Sequence, residues 1–171
     1  IAASLGTRAL VVAGASGERI APLAALLGAS GVEPAAGLRV SGEPTTALVE
    51  RGVEAARRAR CDVVVAIGGG SVIDAAKAVA ALLTNSGELR DYLEVVGRGQ
   101  PLAARAAPLV AIPTTAGTGA EVSRNAVLMV EDERVKVSLR SPLMLPAVAL
   151  VDPELTYSLP PDVTARTGLD A

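Results

Sequence analysis

Asp62-Val-Val-Val-Ala-Ile67-Gly-Gly-Gly-Ser71-Val-Ile-Asp74-Ala-Ala-Lys77-Ala-Val-Ala-Ala-Leu-Leu83 decides how the rest of the chain reads. The unbroken apolar run 63–67 reads as a strand buried on both faces, three glycines end it, and Ala, Val and Leu at helical spacing follow. The stretch is a strand-turn-helix unit. Glycines without Cβ let a ligand approach the backbone, and the first N–H groups of the following helix point into the turn with the positive end of its dipole. That describes a phosphate cradle. The same residues also permit a plain turn in which Ser71 caps the helix and Asp74 completes a capping box. The spacing matches neither G-x-G-x-x-G nor a glycine loop ending in G-K-[ST].

Working outward, residues 8–13 read as a first buried strand with exit turn Gly14-Ala-Ser-Gly17, and residues 18–29 as a helix with Ser16 as its cap and Pro22 in its first turn. A short strand at 37–41 leads through Gly42-Glu-Pro44 into a helix over 45–59, with Leu48, Val49, Gly52, Val53 and Ala56 inward. Beyond the central unit, a short helix is expected around 88–95 and a buried strand at 108–112. Residues 126–130 and 134–139, separated by Glu131-Asp-Glu133, read as a β-hairpin, and 147–151 as a further strand. Strands alternating with helices give an α/β fold, a doubly wound and mostly parallel Rossmann-like sheet interrupted by the hairpin excursion. The expected division is a dinucleotide-binding domain over 1–154, with the beginning of a helical second domain at 155–171.

In a parallel sheet, ligands sit beyond the carboxyl ends of the strands. The turns 14–16, 68–71 and 114–118 each follow a predicted strand, so all three are expected on one edge, around one crevice. The glycine turn suits a pyrophosphate, and Thr114-Thr-Ala-Gly-Thr118 adds three hydroxyls that suit ribose or a carboxamide. Together they describe a dinucleotide site. An ordinary loop shaped by Pro113 and Gly117, with hydroxyls bonded to their own backbone, is the alternative the residues leave open.

Composition narrows the classes. Of 171 residues, 50% are apolar and Tyr92 and Tyr157 are the only aromatics, which suits a sheet covered by helices. A net charge of −2, with no basic stripe and no aromatic platform, argues against nucleic acid as a partner. No apolar run approaches the roughly 18 residues of a membrane helix, and the start does not read as a signal peptide. Cys61 is the lone cysteine, so no intrachain disulfide can form, and a reducing, cytoplasmic setting is the expectation. Histidine is absent altogether, which removes the commonest proton carrier and metal ligand.

Two segments carry a resemblance. Gly68-Gly-Gly-Ser-Val-Ile-Asp-Ala-Ala-Lys-Ala-Val-Ala80 resembles the cofactor-binding segment of the iron-dependent (group III) alcohol dehydrogenases, and Ala111-Ile-Pro-Thr-Thr-Ala-Gly-Thr-Gly-Ala-Glu-Val-Ser123 resembles that family's other signature. The resemblance runs from about Arg8 to the last residue and implies the amino-terminal, cofactor-binding part of a family member. It implies that Gly69, Gly70 and Ser71 meet the pyrophosphate with Asp74 just behind, and that Thr114, Thr115 and Thr118 line the adenine, ribose and nicotinamide path. It also implies contacts from Ser123, Asn125 and Lys136. Glu43 stands where some members have asparagine, so no contact is carried over there.

NAD-preferring members often have aspartate directly after the first strand, where this chain has Gly14. Losing that carboxylate removes repulsion of a 2′-phosphate, and Ser16 with Arg19 could bind one. NADP is therefore expected to be accepted and favoured over NAD.

Thr167-Gly-Leu-Asp170-Ala171 matches the opening of the family's metal-site pattern, and the resemblance implies Asp170 as a ligand for Fe2+ or Zn2+. One ligand falls short of the roughly three a catalytic metal takes from protein, so no metal is expected in this chain alone. The implied enzyme transfers a hydride between the nicotinamide cofactor and a small primary alcohol or aldehyde, with a missing helical carboxy-terminal domain supplying the metal and most of the substrate pocket. Alone, the chain is expected to be catalytically silent. The family also implies a homodimer through an early strand that this chain barely includes. Two other readings stay open: a stand-alone nucleotide-binding module, and a zinc-dependent polyol or sugar-phosphate dehydrogenase of related fold.

Overall fold

The computed structural model describes residues 1–170 and shows five parallel strands in the order β2-β1-β3-β4-β7, with a separate two-stranded hairpin. The elements run β1 (Arg8–Gly14), α1 (Ile20–Ala29), β2 (Glu33–Val40), α2 (Thr46–Arg58), β3 (Val63–Gly68), α3 (Gly70–Thr84), α4 (Leu89–Tyr92), β4 (Leu109–Pro113), β5 (Asn125–Val130), β6 (Val135–Arg140), β7 (Val148–Ala149) and α5 (Pro161–Gly168). The sheet is doubly wound, as the alternating pattern requires. β3 is central and buried along its whole length, which is why it reads as an apolar run rather than an alternation.

The crossovers set the site. From β1 the chain steps through α1 to β2 on one side, whereas from β3 it steps through α3 to β4 on the other. The α1 residue Leu27 packs with Val11, Ala13 and Ile67 on one face of the sheet. Residues of α2 and α3 pack with Leu10, Val12, Val64 and Ala66 on the opposite face. The topological switch point therefore lies between the carboxyl ends of β1 and β3. Register brings Ala13 beside Ile67 and Gly68 beside Pro113, so the turns leaving β1, β3 and β4 emerge side by side.

The hairpin is not a free appendage. Ala126, Leu128, Val130, Val137 and Leu139 are buried against the cluster that holds α3, and Met129 N–H donates to Pro44 O at 2.9 Å. Helix α3 is thus enclosed by sheet, α2 and hairpin, and residues 75–82 are all buried. A helix enclosed on every side has little use for an amphipathic stripe, and small side chains let its neighbours approach. Its last turn is closed by Arg57, whose Nη2 donates to Leu82 O at 2.6 Å.

Several boundaries differ from the pattern-based expectation. β2 begins at Glu33 because Glu33 N–H donates to Thr7 O at 2.8 Å, a pairing between segments that local pattern does not encode. α1 starts at Ile20 with Arg19 at its cap and no capping side chain, so Ser16 does not cap it. α4 is a single turn, closed by a reciprocal box between Glu88 and Asp91.

Asp62, just before β3, holds the start of β1. Its carboxylate accepts from Thr7 N–H at 2.9 and 3.0 Å, Thr7 Oγ1 at 2.9 Å and Arg8 N–H at 2.8 Å. Desolvation pushes the carboxyl up, but the bonds from Arg8 and Thr7 together outweigh it and hold the group below its ordinary 3.8. Its contribution is therefore present above pH 3.8 and lost as pH falls through the folded value. Asp62→Ala should cost about 1 kcal/mol at pH 7, a modest figure because the site is exposed. Urea midpoints should show that difference at pH 7 and its disappearance in acid; a difference that survives unchanged in acid would assign it to packing.

Candidate functional site

The crevice forms at the switch point. A cavity of ≈110 Å³ is lined by Ala13, Gly14, Ser16, Gly17 and Arg19 from the exit of β1, by Ile67, Gly68 and Gly69 from the exit of β3, and by Thr114 from the exit of β4. All three turns converge there. Thr114 N–H donates to Gly68 O at 3.0 Å, which fixes the start of the threonine loop against the glycine turn.

None of the three turn glycines has a φ in the left-handed region, so they serve for space rather than for conformation. At Gly68 a Cβ would meet the Val72 side chain at 2.5 Å, a packing demand internal to the chain. A Cβ at Gly69 would stand 3.3 Å from Thr115 Cγ2. At Gly70 the nearest atoms would be those of the Thr118 side chain, at 3.5–3.6 Å, which is ordinary contact, and at Gly14 nothing lies within 4 Å. The chain's own packing therefore does not explain glycine at 70 or 14; both positions leave room for a ligand to approach the backbone.

Gly69 is the N-cap of α3 and no side chain caps the helix, so the alternative capping box of Ser71 and Asp74 does not form. Among the described residues, the N–H groups of Gly69, Gly70 and Ser71 have no hydrogen-bond partner. Three orphan donors at the positive end of a long buried helix suit an anion. Beside them, Thr115 Oγ1 is buried without a partner. A buried hydroxyl left unpaired costs about 1–3 kcal/mol, and a bound dinucleotide would supply the missing partner. These residues fit such a group.

Thr115 also lines a second cavity of ≈290 Å³ with Pro113, Ala116, Gly117, Glu121, Val151, Asp152, Pro153 and Thr156. The threonine loop is closed from the other side by α5. A Cβ at Gly117 would fall 1.7 Å from Thr167 O, and its φ is +127°, so both close approach and conformation require glycine there.

The remaining candidates separate into two places. Asp74 turns away from the crevice: its Oδ1 pairs with Lys77 Nζ at 3.0 Å and its Oδ2 accepts from Val127 N–H at 3.1 Å. Lys77 is fully buried and donates also to Ser123 Oγ at 2.9 Å and to Asn125 O. Asp74, Ser123 and Asn125 thus gather around Lys77, a residue to which the family resemblance assigns no role. Its signal was there, an acid and a lysine three apart on one face of an otherwise apolar helix. Burial lowers the Lys77 ammonium from its ordinary 10.5, and the Asp74 carboxylate, with Glu121 further off, pulls it back up.

Lys136 stands apart on β6, half-exposed and paired with Glu43. Arg19 donates through Nη2 to Leu155 O and to Ser158 Oγ, both at 3.0 Å, so it is committed to the carboxy-terminal segment rather than free beside Ser16. Asp170 is exposed in the turn just past the end of α5. Among the described residues, no three His, Cys, Asp or Glu side chains gather as a metal site would need. The residues present do not fit a metal on their own.

Comparison with known proteins agrees with this geometry. The family model described as iron-containing alcohol dehydrogenase matches residues 1–153. The 4-hydroxybutyrate dehydrogenase of Cupriavidus necator is 48% identical over 128 residues, 75% of this chain and 33% of that protein. The choline dehydrogenase of Bacillus subtilis is 41% identical over 150 residues, 88% of this chain and 37% of its own length. Among solved structures, the sulfoacetaldehyde reductase of Bifidobacterium kashiwanohense in complex with NAD+ superposes with a TM-score of 0.86 at 35% identity, covering 99% of this chain and 44% of that one. The chain spans about a third of the length of these curated relatives and less than half of that solved chain. With its signature turns meeting at the switch point and a family match over nearly all its length, the chain belongs to the iron-containing alcohol dehydrogenase family.

Proposed function

We propose that this chain binds a nicotinamide dinucleotide, as the cofactor half of a metal-dependent dehydrogenase that moves a hydride between the cofactor and a small primary alcohol or aldehyde. The observation that carries the reading is the set of three successive orphan N–H groups at Gly69, Gly70 and Ser71, the first of which lines the crevice at the switch point. In this reading they hold the pyrophosphate, and Thr114, Thr115 and Thr118 hold the sugar and amide groups along the crevice. The nicotinamide supplies the hydride chemistry when bound. The chain's own residues bind and orient; no carboxylate, thiol, imidazole or ammonium lines the crevice.

The matched relatives are more than twice as long, and the residues here do not fit a metal. The reading therefore assigns the metal, the substrate pocket and turnover to a further domain. The open position at Gly14 supports acceptance of NADP, because no carboxylate lies there to repel a 2′-phosphate. Calorimetric titration with NADPH and NADH at one fixed salt concentration tests this. Saturable binding with NADPH at least about tenfold tighter, roughly 1.4 kcal/mol, is the expected result. Equal affinities would keep the dinucleotide and discard the preference, and absence of binding by the folded chain would overturn the reading.

A further inference from the structure

Arg39 lies on β2, in register with Ala13 of β1. Its neighbours Leu38 and Val40 are buried in the core on the α2 and α3 side, so strand alternation puts Arg39 on the opposite face, the side of α1. There its guanidinium lies flat against the exit turn of β1. A Cβ at Gly17 would be 3.1 Å from Arg39 Cζ and Nη2 and 3.2 Å from Nε, and the backbone of Gly17, at φ +66°, favours glycine. Gly17 is itself a wall of the crevice, together with Gly14, Ser16 and Arg19.

Among the described residues Arg39 has neither a carboxylate within ion-pair distance nor a hydrogen-bond acceptor. Glu18, next to Gly17 in the chain, makes no pair with it, and no acid lines this crevice. Arg19 is already occupied by Leu155 O and Ser158 Oγ. The exit turn of β1 thus combines an open position at Gly14, a hydroxyl at Ser16 and one uncommitted guanidinium, held in place by a glycine that admits it. A planar fork of donors beside an acid-free crevice is suited to a dianionic phosphate.

We propose that Arg39 is the residue that recognises the 2′-phosphate of NADP, and so sets cofactor choice in this chain. The proposal rests on the dinucleotide reading given above. It replaces Arg19 with Arg39 as the cation at this turn, and it separates recognition of the 2′-phosphate from that of the pyrophosphate, which stays with the amino end of α3.

The test is calorimetric titration of wild type, Arg39→Gln and Arg39→Glu with NADPH and with NADH at one fixed salt concentration, each variant first checked for unchanged thermal unfolding. Arg39→Gln should weaken NADPH at least tenfold and Arg39→Glu further, while NADH stays within twofold. NADPH affinity within twofold of wild type would overturn the proposal and leave the dinucleotide reading standing. Equal weakening of both cofactors would also overturn it, because the guanidinium would then serve a group the two share. If wild type bound neither cofactor, the underlying reading would fail and the proposal with it.

Discussion

Gly70→Val is expected to weaken NADPH binding by at least about 100-fold, close to 2.7 kcal/mol, with no loss of stability. The two halves of that expectation have separate causes. Stability survives because the atoms nearest a Cβ at Gly70 would be those of Thr118, at an ordinary 3.5–3.6 Å, and the backbone there is not left-handed. Gly70 is also the first residue of α3, where exchanging glycine for another residue does not lower helix propensity. Binding fails because valine would cover the free N–H groups of Gly69, Gly70 and Ser71, and an anion could no longer reach them. Gly68→Val is the contrasting case: its Cβ would overlap Val72 at 2.5 Å, so it should impair folding itself. Calorimetry beside a thermal melt separates the two, and an unchanged NADPH affinity in a folded Gly70→Val protein would remove the pyrophosphate from this turn.

Lys77→Met should destabilise the chain by about 3 kcal/mol, because removing one partner of a buried ion pair strands the other. That is a large share of a stability that is typically about 5–15 kcal/mol. Methionine fills the volume but leaves the Asp74 carboxylate without its cation and Asn125 O without a donor, in a region closed by the hairpin. Because burial lowers the Lys77 ammonium from 10.5, the folded chain gives up this proton before the unfolded chain does. The cost of burying the charge is complete below the folded value, and stability rises with pH between that value and 10.5. Lys77→Met should abolish that rise. In urea unfolding, a cycle of Lys77→Met and Asp74→Ala should give a coupling of at least about 1 kcal/mol, and a coupling of zero would show that the two side chains act independently.

Much of the fold was legible because it rests on local chemistry. The run 63–67 has one use, a strand buried on both faces, and its glycines end it where the sheet edge must bind or turn. The hairpin is legible from two strand-like segments separated by Glu131-Asp-Glu133, whereas the alternate burial of Asn125–Val130, an almost wholly apolar run, is decided by packing. The convergence of three turns followed from parallel topology, which places every βα turn on one edge. The family resemblance singles out Ser123 and Asn125, yet no local pattern shows that both meet Lys77, which lies 46 and 48 residues away.

By itself, then, the sequence determined the order of elements, the central strand, the glycine turn and the edge on which the site lies, because period and turn chemistry are properties of neighbouring residues. Only the tertiary structure decided what the polar side chains do. Asp74 could cap its own helix or serve a partner, and the choice fell to Val127, 53 residues away. Arg19 and Arg39 look alike in the chain; α1 leaves the first beside Ser158, and β2 lays the second over Gly17. Hydrogen bonds and ion pairs go to whichever group packing brings within reach, and packing is settled by contacts distant in sequence.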